Sequence, residues 1–392
     1  MSKGQQGPPV SVSEEEAEQF LRELVAIPSL SGSEGEASRY LAHWMGEHGY
    51  RAWVDEAGNA IGERGHGGNQ IVLLGHIDTF PGSVLVRVEG RELYGRGSVD
   101  AKGPLATFVV AAAAVDLPSN TRLIVIGATE EESGSRGARH ILDRYRPVLC
   151  IIGEPSRWDR ITLGYKGHLA LEWSWRGPLA HSAGPAPSPA EVAVDTWRSV
   201  QDFADAQNSG RSGSFRRLEP SLRRLNTGRD GAHGWARMDI VLRLPPDMDT
   251  RVLESSLRQL VHGAQVRFHG HEQAVVAEKS NSLTRAILAA VRAEGGAPNF
   301  VHKTGTSDMN VVAGVWDCPI VAYGPGDSSL DHTPHEHINL DEYLRALRVL
   351  RRALQTLVDQ AESGEPPFLL PRVHPENDHG TIDAGGDQTS VG

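Results

Sequence analysis

Three apolar runs in the first half of the chain each stop on residues that a packed core does not retain. Ile71 to Leu74 leads into GHIDTFPG, Gly75 to Gly82. Arg122 to Ala128 leads into Thr129, Glu130, Glu131 and Glu132, and Val148 to Ile152 leads into Gly153, Glu154 and Pro155. Helical patterns lie between them, an apolar one over Pro104 to Val115 and another around Arg136 to Tyr145. Strands alternating with helices, with imidazole or carboxylate at successive strand ends, describe an α/β sheet whose site lies along the carboxyl edge.

The residues at those ends suggest metal chemistry, although each alone has a plainer reading. Residues two apart in an extended backbone point the same way, so Asp78 can reach the ring of His76 and fix its tautomer. A histidine satisfied by its neighbour in a turn reads the same. Asp100, in the turn ELYGRGSVDAKG, either ligates a cation or caps the helix that follows. Glu130, Glu131 and Glu132 repel one another unless a cation holds them together, or else they form a solvated acidic loop.

At 392 residues the chain exceeds one ordinary core. The texture changes after about Gly164, with alternation over His168 to Trp175, a long helix from Pro189 to Ala206, the strand Arg237 to Leu244, a helix near Thr250 to Val261 and a strand near Val266 to Phe268. This segment reads as an inserted α+β domain. The first pattern resumes at about Asn281, with the helix Leu283 to Val291, the loop HKTGTSDMN, the strand Pro319 to Tyr323 and a last helix burying Leu340 through Leu357. The first helix starts at a capping box of Ser13 and Glu16 and ends before Pro28. Cys150 and Cys318 each sit in apolar surroundings and read as buried thiols, leaving histidine and carboxylate to hold any metal. The start lacks the apolar core of a signal peptide and no run is long enough to span a membrane, so the expected location is cytoplasmic. The net charge of −11 argues against nucleic acid as a partner. Arg211 to Arg237 nevertheless carries seven arginines against Glu219 and Asp230, which is either a solvated face or a docking surface for something acidic. A phosphate-binding glycine loop is missing, which ranks a nucleotide-binding α/β protein lowest.

GHIDTFPG, GRGSVDAKG, ATEEESGS, IIGEPS and LDHTPHEHI occur in the order seen in the dinuclear zinc aminoacylase and carboxypeptidase family, and the resemblance spans roughly residues 14 to 358. It implies an α/β fold: a mixed-sheet, zinc-peptidase-like catalytic domain over 13–164 and 277–360, and an inserted α+β dimerisation (lid) domain over 165–276. Residues 1–12 and 361–392 are expected to be disordered. It further implies that His76, Asp100, Glu132, Glu154 and His332 ligate two divalent metal ions. Asp100 bridges them, Asp78 orients His76, and Glu131 is the general base. The peptide after Asp100 is cis in that family. Zinc suits this donor set, with cobalt or manganese as substitutes. His181, in PLAHSAGP, matches a histidine that stabilises the oxyanion across a homodimer. Arg243, in IVLRLPP, matches a position that binds a substrate carboxylate, and Asn226 lies where the chain departs from the family pattern.

VDAKGPLA, GEPSRWDRITLGYKG and HKTGTSDMN resemble most the members of that family that release lysine, and in some cases ornithine, from the γ-carboxyl of the terminal glutamate of an acidic amino-group carrier protein. The alternatives are a small-molecule deacylase acting on acetylornithine or succinyl-diaminopimelate, and a non-catalytic metal-binding scaffold. A purely structural metal site has no use for a non-ligating Glu131, which speaks against the scaffold.

Overall fold

A computed structural model describes residues 9–179, 181, 184–261 and 263–363. In chain order the elements are α1 (Glu14–Ala26), α2 (Gly35–Glu47), β1 (Arg51–Val54), β2 (Ala60–Gly65), β3 (Asn69–His76), β4 (Arg87–Glu89), β5 (Glu92–Tyr94), α3 (Lys102–Ala113), β6 (Thr121–Ala128), α4 (Arg136–Ile141), β7 (Pro147–Gly153) and β8 (Arg160–Tyr165). There follow β9 (Gly167–Pro178), α5 (Pro189–Gln207), β10 (Glu219–Asp230), β11 (His233–Leu244), α6 (Thr250–Leu260), β12 (Gln265–Glu272), β13 (Val275–Val276), α7 (Ser282–Ala293), β14 (Asn299–Lys303), α8 (Asp308–Val312), β15 (Ile320–Tyr323), β16 (His337–Asn339) and α9 (Leu340–Ser363).

The large sheet is ordered β1-β2-β6-β3-β7-β15-β8-β13, with β14 beside β8. Its centre, β6-β3-β7-β15, is parallel, and antiparallel pairs flank it, so the sheet is mixed. Alternation sorts each central strand between two cores. Ile71, Leu73, Leu123, Val125, Leu149 and Ile151 face α1, α2, α3, α7 and α9. Val72, Leu74, Ile124, Ile126, Cys150 and Ile152 face α4 and α8. Such runs are apolar on both faces, as parallel strands covered by helices require. Helix α3 is buried along its whole length, which explains why PLATFVVAAA is apolar all round. It crosses so close to the sheet that a Cβ at Gly153 would meet the ring of Phe108 at 2.9 Å. Register then fixes the level of the strand ends: His76 pairs with Ala128, Gly75 with Gly153, and Tyr323 with Gly153.

The second sheet, β10-β11-β9-β12, is antiparallel, and α5 and α6 cover one of its faces. The chain leaves the large sheet after Tyr165 and re-enters it at Val275, and these two residues are partners in the β8-β13 ladder. The side-chain amide of Asn310, from α8, donates to Lys166 O at 3.0 Å and to Gln273 O at 2.7 Å. One amide thereby ties both crossing strands to the large sheet.

Several details depart from the sequence reading. Arg211 to Arg237, to which the sequence assigns no element before the strand at Arg237, mostly forms the β10-β11 hairpin. HKTGTSDMN is not all loop: it starts on β14 and ends on α8, which Ser307 and Asn310 cap reciprocally. Helix α4 stops at Ile141. Ser13 caps α1 at the Glu16 amide, but the Glu16 carboxylate reaches His48, so half of the box forms. Val10 donates to Ala113 O and Val12 packs on the core, so the chain is placed before residue 13. Helix α9 carries residues 361–363, and the rest of the tail lies outside the described residues. Both cysteines are free, but Cys318 is only partly buried. Among the described residues no helix is long and apolar enough to cross a membrane.

Candidate active site

His76 ends β3 with its ring buried. Its Nδ1 lies 3.0 Å from Asp78 O and 3.3 Å from Asp78 Oδ1, and its Nε2 lies 3.2 Å from Asp100 Oδ1. Asp78, fully buried, does more than orient the ring. Oδ1 accepts the Glu131 amide and Oδ2 the Glu132 amide, both at 3.0 Å, and Oδ2 also accepts Ser31 Oγ at 2.6 Å. One carboxylate therefore positions the β3 histidine and the acidic turn after β6. Burial pushes the pKa of Asp78 up, but the bonds from His76, Ser31 and the Glu132 amide outweigh it and leave the value lowered.

Asp100 sits in the turn before α3, and the peptide that follows it is cis. Its Oδ1 faces His76, and its Oδ2 lies 3.1 Å from Nε2 of His332. The same nitrogen of His332 is 2.9 Å from Glu132 Oε1. Asp100, Glu132 and His332 bring ligand-competent atoms within 4.8 Å of one another. Phe80 stacks on the His332 ring at 4.0 Å between centroids. Glu154, just past β7, lines the same cavity.

The electrostatics are those of acids crowded out of water. Burial pushes Glu131 and Glu154 well above the usual carboxylate range, and acids nearby, including Asp308 for Glu131 and Asp100 for Glu154, push the same way. The bonds to Asp100 and Glu132 hold His332 at about 10. Burial opposes the charge on His76, yet its bonds to Asp100 and Asp78 hold its pKa well above ordinary. Nitrogen and oxygen donors with excess negative charge and no thiolate suit divalent cations, and the arrangement around Asp100 fits them.

Three contributors escaped the sequence reading. Glu336, buried, accepts the amides of Val99 and Asp100 on Oε1 at 3.1 and 3.2 Å and Arg96 on Oε2 at 2.6 Å, so it fixes the turn that presents Asp100. Lys303 lines the cavity and donates to Pro155 O at 2.7 Å, while its charge offsets Glu154 and Asp331. Asp331 faces the cavity, and burial and the charge of Asp100 raise it to about 8. All three lie inside motifs already singled out, Lys303 in HKTGTSDMN and Asp331 and Glu336 in LDHTPHEHI, but none of these residue types announces its role.

The cavity, about 840 Å³, has a mainly acidic wall from the large sheet and a mainly basic wall from the small one, and Arg139 of the first is paired with Glu272 of the second. Arg243 stands on the basic wall, donating to Thr306 Oγ1 at 3.0 Å, with its register partner His168 beside it. Asn226 does not join them. It pairs with Arg237, six residues along β11 from Arg243, which is roughly 20 Å of strand, and it lines a separate concavity of about 630 Å³ with Trp235 and Arg237. His181 is exposed on the loop after β9 and is not part of the cavity lining.

A model of peptidase family M20/M25/M40 matches residues 72–356. The chain belongs to this family. A LysW-lysine hydrolase of Deinococcus radiodurans is 47% identical over 351 residues, covering 87% of this chain and 97% of that protein. A LysW-lysine/LysW-ornithine hydrolase of Sulfurisphaera tokodaii is 27% identical, covering 88% and 97%. The fold matches an M20 metallo-carboxypeptidase of Sulfolobus solfataricus with a TM-score of 0.74 at 17% identity over 88% of this chain and 99% of that one. A dinuclear metal-binding M20 peptidase of Bacillus subtilis gives 0.65 at 16% identity, covering 88% and 98%. This M20 chain is thus a metal-dependent hydrolase of amide bonds.

Proposed function

We propose that the protein releases lysine, and ornithine as a second product, from the γ-carboxyl of the terminal glutamate of an acidic carrier protein of the LysW type. The observation that carries the hydrolytic part is the Asp100 carboxylate, one oxygen turned to His76 and the other to His332. The names and high coverage of the two relatives support the carrier. In this reading His76, Asp100 and Glu154 hold one cation, and Asp100, Glu132 and His332 hold the other. Zinc is the expected metal, with cobalt or manganese able to replace it. Two divalent cations held by these residues would supply Lewis acidity to the scissile carbonyl and to the attacking water near neutral pH.

The side chains do the rest. Glu131, whose amide is fixed by Asp78, takes the proton of the attacking water and passes it to the leaving amine. Asp78 keeps His76 in one tautomer with Nε2 toward Asp100. Arg243 binds a substrate carboxylate. His181 and Asn226, away from this chain's cavity, serve the cavity of a second copy in a homodimer, with His181 at the oxyanion.

Lysine and ornithine release from a carrier conjugate tests this, with zinc or cobalt added and acetylornithine as a competing substrate. Metal-dependent release that disappears in Glu131→Ala is the expected result. Release from acetylornithine alone would move the protein to the small-molecule deacylases.

A further inference from the structure

The basic wall of the cavity holds a second guanidinium to which the reading above gives no task. Along β10 the register runs Leu222 to Ile240 and then Arg224 to Asp239, so Arg223 is an extra residue with no partner on β11. Such a bulge lets neighbouring side chains diverge from strict alternation. Arg224 turns to the distal concavity and pairs with Asp239 at 2.7 Å, whereas Arg223 lines the catalytic cavity beside Arg243.

Neither of these two arginines has a carboxylate partner among the described residues, whereas Arg139, across the cavity, is paired with Glu272. Arg243 donates to a hydroxyl, and among the described residues Arg223, which lines the cavity, makes no side-chain hydrogen bond or ion pair. The two charges also oppose one another: burial first, then Arg223, lowers the pKa of Arg243. Four other arginines of this small domain are paired, Arg224 with Asp239, Arg267 with Glu172, Arg176 with Asp230 and Arg211 with Asp247, and Arg216 and Arg217, which are not, lie outside the cavity lining. Like charges held side by side without counter-ions stabilise the protein only when anions arrive.

We infer that Arg223 and Arg243 read two carboxylates, one on each side of the scissile amide, so that the preferred substrate is a γ-glutamyl amino acid and not a simple acyl amino acid. The inference rests on the functional reading above. Arg223 is exposed and Arg243 partly buried. A carrier enters glutamate-last from solvent, so Arg223 meets the α-carboxylate of that glutamate and Arg243 the carboxylate of the departing amino acid. Charge-assisted bidentate contacts of this kind set both orientation and discrimination.

The test compares three small amides of Nα linkage: γ-glutamyl-lysine, 4-aminobutyryl-lysine, which lacks the acyl-side carboxylate, and γ-glutamyl-cadaverine, which lacks the other. The zinc-loaded wild type should favour the first over both analogues by roughly tenfold or more in kcat/KM. Arg223→Met should lose about tenfold on γ-glutamyl-lysine, mainly in KM, and far less on 4-aminobutyryl-lysine. Arg243→Met should show the mirror pattern, sparing γ-glutamyl-cadaverine. Equal losses on all three amides, or none, would overturn the pairing, and opposite patterns in the two variants rule out misfolding as the cause. Wild-type turnover of acetylornithine but of neither γ-glutamyl compound would instead overturn the functional reading itself.

Discussion

Asp78 and Glu336 do related work, each a buried carboxylate that gathers backbone amides near a proposed ligand. Asp78 was legible because it lies two residues from a histidine at a strand end. Glu336 was not, because it acts on main-chain groups, and amides leave no trace in residue type. Glu336→Ala would leave the Val99 and Asp100 amides without their acceptor, at about 1–3 kcal/mol for each, and would leave Arg96 held only by Gly82 O. Its metal affinity should fall by about 10–100-fold in a chelator competition, with proposed ligands untouched. Glu131→Ala should behave oppositely. Metal content measured by elemental analysis should match wild type, while kcat falls by about 10²–10⁴-fold.

At the level of elements, the parallel strands declared themselves through continuous apolar runs, and their common register at His76, Ala128 and Gly153 makes three distant stretches neighbours. The bulge at Arg223 could not be read in the same way, since it is a property of two strands taken together. Helix α8 was hidden for another reason: five residues are too few to show helical periodicity. That short helix nonetheless supplies the amide that ties both crossing strands. Asn310→Ala should lower stability by about 2–4 kcal/mol, one unmade bond at each of two carbonyls and one at the Ser307 amide that its Oδ1 accepts. It should also change kcat and KM together, because the basic wall is no longer held in register with the acidic one. Melting curves run beside steady-state kinetics check this, and unchanged kinetics in a destabilised variant would restrict Asn310 to a structural role.

For the whole molecule, the opposed walls of the cavity would let a chain of net charge −11 receive the acidic carrier proposed above. Not every arginine of the basic stretch takes part, because Arg211 and Arg224 are paired within the chain. Arg216 and Arg217 are exposed and have no ion pair among the described residues. Reversing both to Glu should raise KM for a carrier conjugate, more so at low salt, and leave KM for γ-glutamyl-lysine within about twofold. Metal stripping should act on the whole fold. Chelation should lower Tm by about 5 °C or more in a thermal melt, since cations bind the folded chain and not the unfolded one. The ladder between Tyr165 and Val275 bears on ancestry and engineering alike. Its two ends are already adjacent, so everything between them is a parenthesis that a few glycines could close. A shortened gene of that kind should still encode a chain that folds and captures metal, while the power to choose among amides would be gone. Substrate range in such an architecture can therefore be exchanged as a cassette, with the proposed metal-holding residues left as they stand and the histidine proposed for the oxyanion travelling with the exchanged piece.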